Sequence, residues 1–259
     1  MIIFIGAMKQ FSKCFITVLC ASSFLFAQHS GTIDSTKIIV PADSAEIYIV
    51  SYFYEPYPQK VGESILQLGG SFTLLPIPVM ENEYPAPALD LQYKLGIFEK
   101  ISLNASLSTN IFSNLLHTGV QWNTNANRFS FGFANHIGCF FGFFNTEGQF
   151  ERNSAYAIYY LPILRFGYRL EDFSITMSWA ASYIFKSTSR VSGLKAPGPE
   201  HTINDYFCTI AIEQPFLKHS FVSIGFSLTY SITPYQTWMM FNTIDQRLFI
   251  PEFFFAFQL

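Results

Sequence analysis

The feature that most constrains this chain is a strict alternation of apolar and polar residues. In Leu89, Leu91, Tyr93, Leu95 and Ile97 every second residue is apolar, with Asp90, Gln92, Lys94 and Gly96 between them. This is the period of a strand with one apolar face. A tight turn at Phe98-Glu99-Lys100 follows, and the code repeats with Ile101, Leu103, Ala105 and Leu107 against Ser102, Asn104, Ser106 and Ser108. Further copies place Phe129, Phe131 and Phe133 against Ser130, Gly132 and Ala134, and Val222, Ile224 and Phe226 against Ser223, Gly225 and Ser227. Taken together, such runs predict strands near 64–75, 86–98, 100–109, 113–122, 128–144, 156–169, 172–186, 205–213, 218–232 and 247–259.

Composition decides which solvent these faces meet. Charged residues are only 13% of the chain while aromatics reach 18%, with 30 Phe and 14 Tyr. A water-facing surface needs about twice that charge, whereas a lipid-facing surface with ring-rich girdles needs little. Beyond the N-terminus no run of roughly 18 apolar residues offers a transmembrane helix. Closed barrels are the other structure that satisfies every backbone hydrogen bond in hydrocarbon. The links also alternate in length, short at Glu99, 123–127, 170–171 and 214–217, longer at 76–85, 145–155, 187–204 and 233–246. The expectation is therefore an all-β fold: a transmembrane antiparallel up-and-down β-barrel of about ten strands, within a range of about eight to twelve, over residues 63–259. A soluble β-sandwich is the alternative, and it would have to hide the Phe-rich faces between two sheets.

Lys9 and Lys13 precede an apolar stretch from Cys14 to Phe26, and Ala27 precedes polar Gln28. Residues 1–27 thus read as a secretory signal peptide, with Met8 as an alternative start. Leu19 argues against a lipoprotein signal at Cys20. Residues 28–62 are polar and carry Pro41, Pro56 and Pro58, with a short strand-like run over 46–54; they read as a periplasmic N-terminal tail. Removing Lys9 and Lys13 from the 15 basic residues makes the mature chain more acidic, and no basic patch invites nucleic acid. Cys139 and Cys208 sit in apolar runs without CxxC or Cys/His spacing, so they read as packing residues, and neither metal nor cofactor is expected.

The last strand, from Phe249 to Leu259, has apolar residues at alternate positions counting back from its end. With the leader and the strand pattern, this resembles bacterial outer-membrane β-barrel proteins as a class, without the motif of any one family. The resemblance implies Sec-type export, residence in outer-membrane lipid, and a terminal strand read by the barrel assembly machinery. Leu259 stands where such chains usually end in Phe. Pro251 cannot donate to a ladder and is expected at a bulge.

If the alternation holds, Asp90, Lys94, Asn104, His117, His136, Arg165 and Glu252 point inward. Such residues pair with one another or with water, or they line a narrow passage for a small polar solute. A hairpin at 123–127 offsets His117 from His136 by roughly 10 Å at the strand rise, which disfavours a metal pair. No GxSxG or HExxH occurs, and His219-Ser220 falls at a turn. Glu147, Glu151, Asp205 and Asp245 in or beside loops are the acids that a surface hydrolase would need, with no spacing that makes them converge. An enzyme is not indicated and no catalytic residue is assigned. About ten strands imply a narrow or blocked bore lined mainly by small residues. The leading expectation is a structural or surface-binding role through the long loops. Trp238, Met239 and Phe241 would be contacts for an extracellular or periplasmic protein partner, unless they form an interfacial aromatic belt.

Overall fold

A computed structural model describes residues 52–76, 84–110, 112–144, 153–196, 198–217, 220–232 and 247–259. The expected leader, most of the expected tail, and the loop with Trp238, Met239 and Phe241 lie outside the described residues. The strands are β1 (Ser64–Leu75), β2 (Tyr84–Phe98), β3 (Ile101–Thr109), β4 (Ser113–Ala126), β5 (Phe129–Phe144), β6 (Asn153–Arg169), β7 (Ser174–Val191), the short β8 (Leu194–Ala196), β9 (Thr202–Leu217), β10 (Ser220–Ser231) and β11 (Leu248–Gln258).

Each long strand pairs antiparallel with its neighbours in chain order, and β11 pairs with β1, so ten strands close into an up-and-down barrel. Only β8 stands outside the ring, folding back on the end of β7. Closure leaves no unpaired edge, which is what a barrel in hydrocarbon requires. The outward positions are the apolar ones of the alternation: Leu89, Phe129, Ile137, Ile224 and Phe253 are among the most exposed large side chains. Rings also adjoin across strands outside the barrel. Trp122 meets Phe131, Phe131 meets Phe166, and Phe166 meets Trp179, with centroids 4.9 to 6.1 Å apart. Near the longer links Tyr230 stacks on Phe249 at 4.6 Å. Such belts suit the two interfaces of a bilayer. Cys139 lies on β5 and Cys208 on β9.

Three local expectations change. β4 runs through Ala126 and turns at Asn127, whose φ of 55° is left-handed, so the hairpin is tighter than a link over 123–127 would make it. The region 187–204, expected as a long loop, is mostly strand: β7 continues to Val191, turns at Ser192 and Gly193 into β8, and β9 starts at Thr202. Pro251 is not at a bulge. The β10 register runs unbroken through Leu228↔Pro251, while pairing with β1 ends at Thr73↔Glu252, so the proline falls where β11 has one neighbour. Pro85 and Pro87 follow the same rule, pairing with β1 before the β2–β3 ladder begins at Leu89↔Thr109.

Candidate functional site

The end of the segment expected as a tail is folded into the barrel. Residues 52–60 cross the bore at the short-turn end, and Tyr52, Phe53, Glu55 and Gln59 are buried. Glu213 on β9, 0% exposed, holds them from one side. Its carboxylate accepts hydrogen bonds from the backbone N–H of Phe53 at 2.8 Å, Tyr54 at 2.8 Å and Glu55 at 3.0 Å. Three successive amides converging on one anion form the concave nest that backbone alone can offer a negative charge. From β2, the Lys94 ammonium, also 0% exposed, donates to the carbonyls of Phe53 at 3.1 Å and Glu55 at 3.2 Å.

Glu55 in turn reaches the opposite wall. Arg169 on β6 donates to its carboxylate through Nε at 2.9 Å and Nη2 at 2.6 Å, and the same guanidinium lies over the rings of Tyr52 and Tyr57. Tyr54 packs on Phe254 of β11 at 5.3 Å and takes a hydrogen bond from Gln92 at 2.9 Å. Burial holds the Tyr54 phenol above its ordinary pKa, so it stays neutral. The stopper is thus tied to β2, β6, β9 and β11 at once.

The wall is cut to fit it. A Cβ added to Gly132 would lie 2.6 Å from the Cβ of Pro56, one on Gly167 would lie 2.9 Å from Cγ of Glu55, and one on Gly96 would lie 2.2 Å from the carbonyl oxygen of Lys60. The Gly62 N–H also donates to the Gly96 carbonyl at 2.8 Å as the chain leaves the bore for β1.

Above the stopper, toward the longer links, lies a cavity of about 260 Å³. Its two walls differ in chemistry. Leu115, Phe140, Tyr159, Leu161, Ile163, Ile184 and Phe207 make one wall apolar, around the core cluster of β5, β6 and β7. Thr73, Asp90, Gln92, Ser108, Asp205, Thr209, Ser227 and Glu252 make the other mostly polar, with Ile250, Phe254 and Ala256 of β11 among them. The floor carries Tyr54 and Arg165. The lumen is therefore neither filled nor lined only by small polar residues.

All seven expected inward residues face the lumen, but they do not form one site. Asp90, His117, Arg165 and Glu252 line the cavity. Lys94 belongs to the stopper. Asn104 donates to Gln121 at 2.8 Å in a buried amide cluster that includes Asn123 and Ser102. His136 stacks on His117 with centroids 5.1 Å apart, against the expected offset near 10 Å. The tighter β4–β5 turn moves the register to His117↔Gly138 and Gly119↔His136 and makes the two imidazoles diagonal neighbours. Among the described residues no third His, Cys, Asp or Glu joins the pair in a group that could hold a metal ion. Asp205, expected beside a loop at the start of a strand, is a half-buried residue inside β9 that accepts from Ser182, Ser231 and Asn204. Glu55, Arg169, Glu213 and Tyr54 were not singled out by the sequence. The inward parity of Glu213 on β9 and the lumen-facing glycines were the available signals.

No protein-family model matches the chain, and no curated protein matches it in sequence. Among solved structures it is similar to the outer membrane protease OmpT from Escherichia coli at 9% identity, over 75% of this chain and 93% of that one, with a TM-score of 0.40. The translocator domain of the autotransporter NalP from Neisseria meningitidis matches at 7% identity, over 77% and 88%, with a TM-score of 0.37. An outer membrane channel from Pseudomonas putida F1 matches at 7% identity, over 82% and 100%, with a TM-score of 0.38. No residue role passes from these proteins to this chain. By its closure, register and outer surface the fold is that of an outer-membrane β-barrel.

Proposed function

We propose that this protein is a gated small-molecule passage of the bacterial outer membrane, stoppered at its periplasmic end by its own N-terminal segment. The single observation that carries the reading is the docking of residues 52–60 across the bore through Glu213, Lys94 and Arg169, beneath a chamber with one apolar and one mostly polar wall. Two buried charged side chains, Glu213 and Lys94, and the partly buried Arg169, all committed to one short segment, indicate a stopper built to seat. Polar anchors of this kind can also release, because water entering the bore can take the place of each lost partner. Solute would enter the chamber from the long-link side and leave when the segment withdraws. A leader over 1–27 would send the chain through Sec export, and β11 would serve as the signal to the assembly machinery. The surface-binding expectation rests on the loop at 233–246 and the hydrolase expectation on an undetected constellation, so the lumen supports this reading better than either.

Planar-bilayer conductance tests it, using the mature chain and a chain lacking residues 28–61, both first shown to be folded by heat-modifiable migration. The full chain is expected to be silent or to open rarely, and the shortened chain to show discrete, frequent openings. Equal conductance in the two, or silence in both, would overturn the gated passage.

A further inference from the structure

Arg165 is the buried cation that the stopper does not use. It projects from β6 at the floor of the chamber, is 9% exposed, and its Nε and Nη1 have no hydrogen-bond partner among the described residues. The other lumen cations are matched: buried Lys94 by two carbonyls, and half-buried Arg169 by Glu55. The chamber's acids are matched too, Asp205 by Ser182 and Ser231, Glu252 by Thr73, and Asp90 by Ser71 and Ser108. The Glu213 carboxylate acts on it through space from the stopper, but no acceptor meets Nε or Nη1, and a desolvated guanidinium with unmet donors is unfavourable unless something supplies the acceptor. Its flat fork is also pre-organised for a carboxylate.

We infer that Arg165 anchors the carboxylate of a monocarboxylic acid with a compact apolar body, an inference that rests on the passage reading above. The acid group sits on the floor beside Tyr54, and the body lies along Leu161, Ile163, Phe140 and Phe207. The placement of Asp205 sets the selectivity. Through Arg165↔Ser178 and Ser178↔Thr209, Arg165 is level with Thr209 on β9, and Asp205 lies further up the same strand, away from the stopper. A second carboxylate reaching up the chamber would meet that acid, so dicarboxylates are rejected.

Calorimetric titration of the folded full chain in detergent uses four probes: 3-phenylpropanoate, 3-phenylpropan-1-ol, 3-phenylpropylamine and the dicarboxylate 1,4-phenylenedipropanoate, whose second acid lies at the far end of the apolar body. The monoacid is expected to bind about tenfold or more tightly than the alcohol, since a hydrogen bond to a charged group is the stronger kind. The amine and the dicarboxylate should bind more weakly than the alcohol. Arg165→Gln should bring the monoacid down to the level of the alcohol and leave the alcohol unchanged, while Arg165→Lys should keep part of the preference. Equal affinity of acid, alcohol and amine for the wild-type chain would show that water alone satisfies Arg165; the inference then falls and the chamber stands. Absence of binding by all four would overturn both, and the wild-type comparison decides even if a variant fails to fold.

Discussion

Glu213 carries more of the closed state than any other side chain, because its one carboxylate accepts three backbone amides that have nothing else to donate to. Hydrogen bonds to charged groups contribute about 1.5 to 3 kcal/mol each, and a buried donor left unmatched costs a similar amount. Glu213→Ala is therefore expected to shift the seated stopper toward release by on the order of 3 kcal/mol, about a hundredfold in equilibrium. The readout is chymotryptic cleavage in detergent after Tyr52, Phe53 and Tyr54, slow in the wild-type chain and faster by about that factor in the variant. Glu213→Gln keeps one acceptor oxygen and should fall between. Unchanged cleavage with an intact folded band would remove Glu213 as the anchor. None of this pairing was visible in sequence, since Glu213 and the amides it caps are 158 to 160 residues apart. What alternation could show was direction: it turned Lys94, Asn104 and Arg165 inward, and it could not tell which would be matched.

At the scale of the element, β5 and β6 are built around the stopper as much as around each other. Gly132 and Gly167 sit on their inner faces at the level of Pro56, and removing side-chain volume there makes the notch that residues 55 and 56 occupy. Gly132→Val is expected to displace Pro56, because overpacking costs about 1 to 3 kcal/mol and the docked segment yields more readily than the ladder. It should raise chymotryptic cleavage of the segment about tenfold or more and turn a silent barrel into a conducting one. Phe131→Val, one residue away on the outer face, should do neither. An inert Gly132→Val would mean that the wall adjusts and the notch is incidental. Strands were the legible part of this protein: the ten that close the barrel lie close to their expected positions, because a period of two with apolar residues outside leaves few alternatives. Turn length was less legible. Asn123 was read into a link, yet it is buried in β4 and bonded to Gln121 and Ser102, and that slip carried the two histidines out of register with it.

For the whole molecule the seam is the place where stopper and barrel meet. The first and last strands close the ring from Gln67↔Gln258 to Thr73↔Glu252, the shortest run of paired residues between adjacent barrel strands among those described. It is braced on both faces. Outside, Phe72 stacks on Phe255; inside, Tyr54 rests on Phe254 with its hydroxyl held by Gln92 of β2. The stopper immediately precedes β1 in the chain, and its Tyr54 touches β11 and β2, the two strands that flank β1. Closing the bore and closing the ring are then coupled, and a double-mutant cycle measures the coupling. Tyr54→Ala and Phe254→Ala should each lower the urea midpoint of the folded barrel. The double variant should lose less than the sum, by about 0.5 to 1.5 kcal/mol, the size of a direct ring contact. Tyr52 packs instead on Phe221 of β10, so Tyr52→Ala combined with Phe254→Ala should be additive. Additivity in both pairs would mean that the segment only occupies the bore. Coupling confined to Tyr54 and Phe254 would make the seated stopper part of the barrel wall, so that withdrawal for passage loosens the ring at its shortest seam.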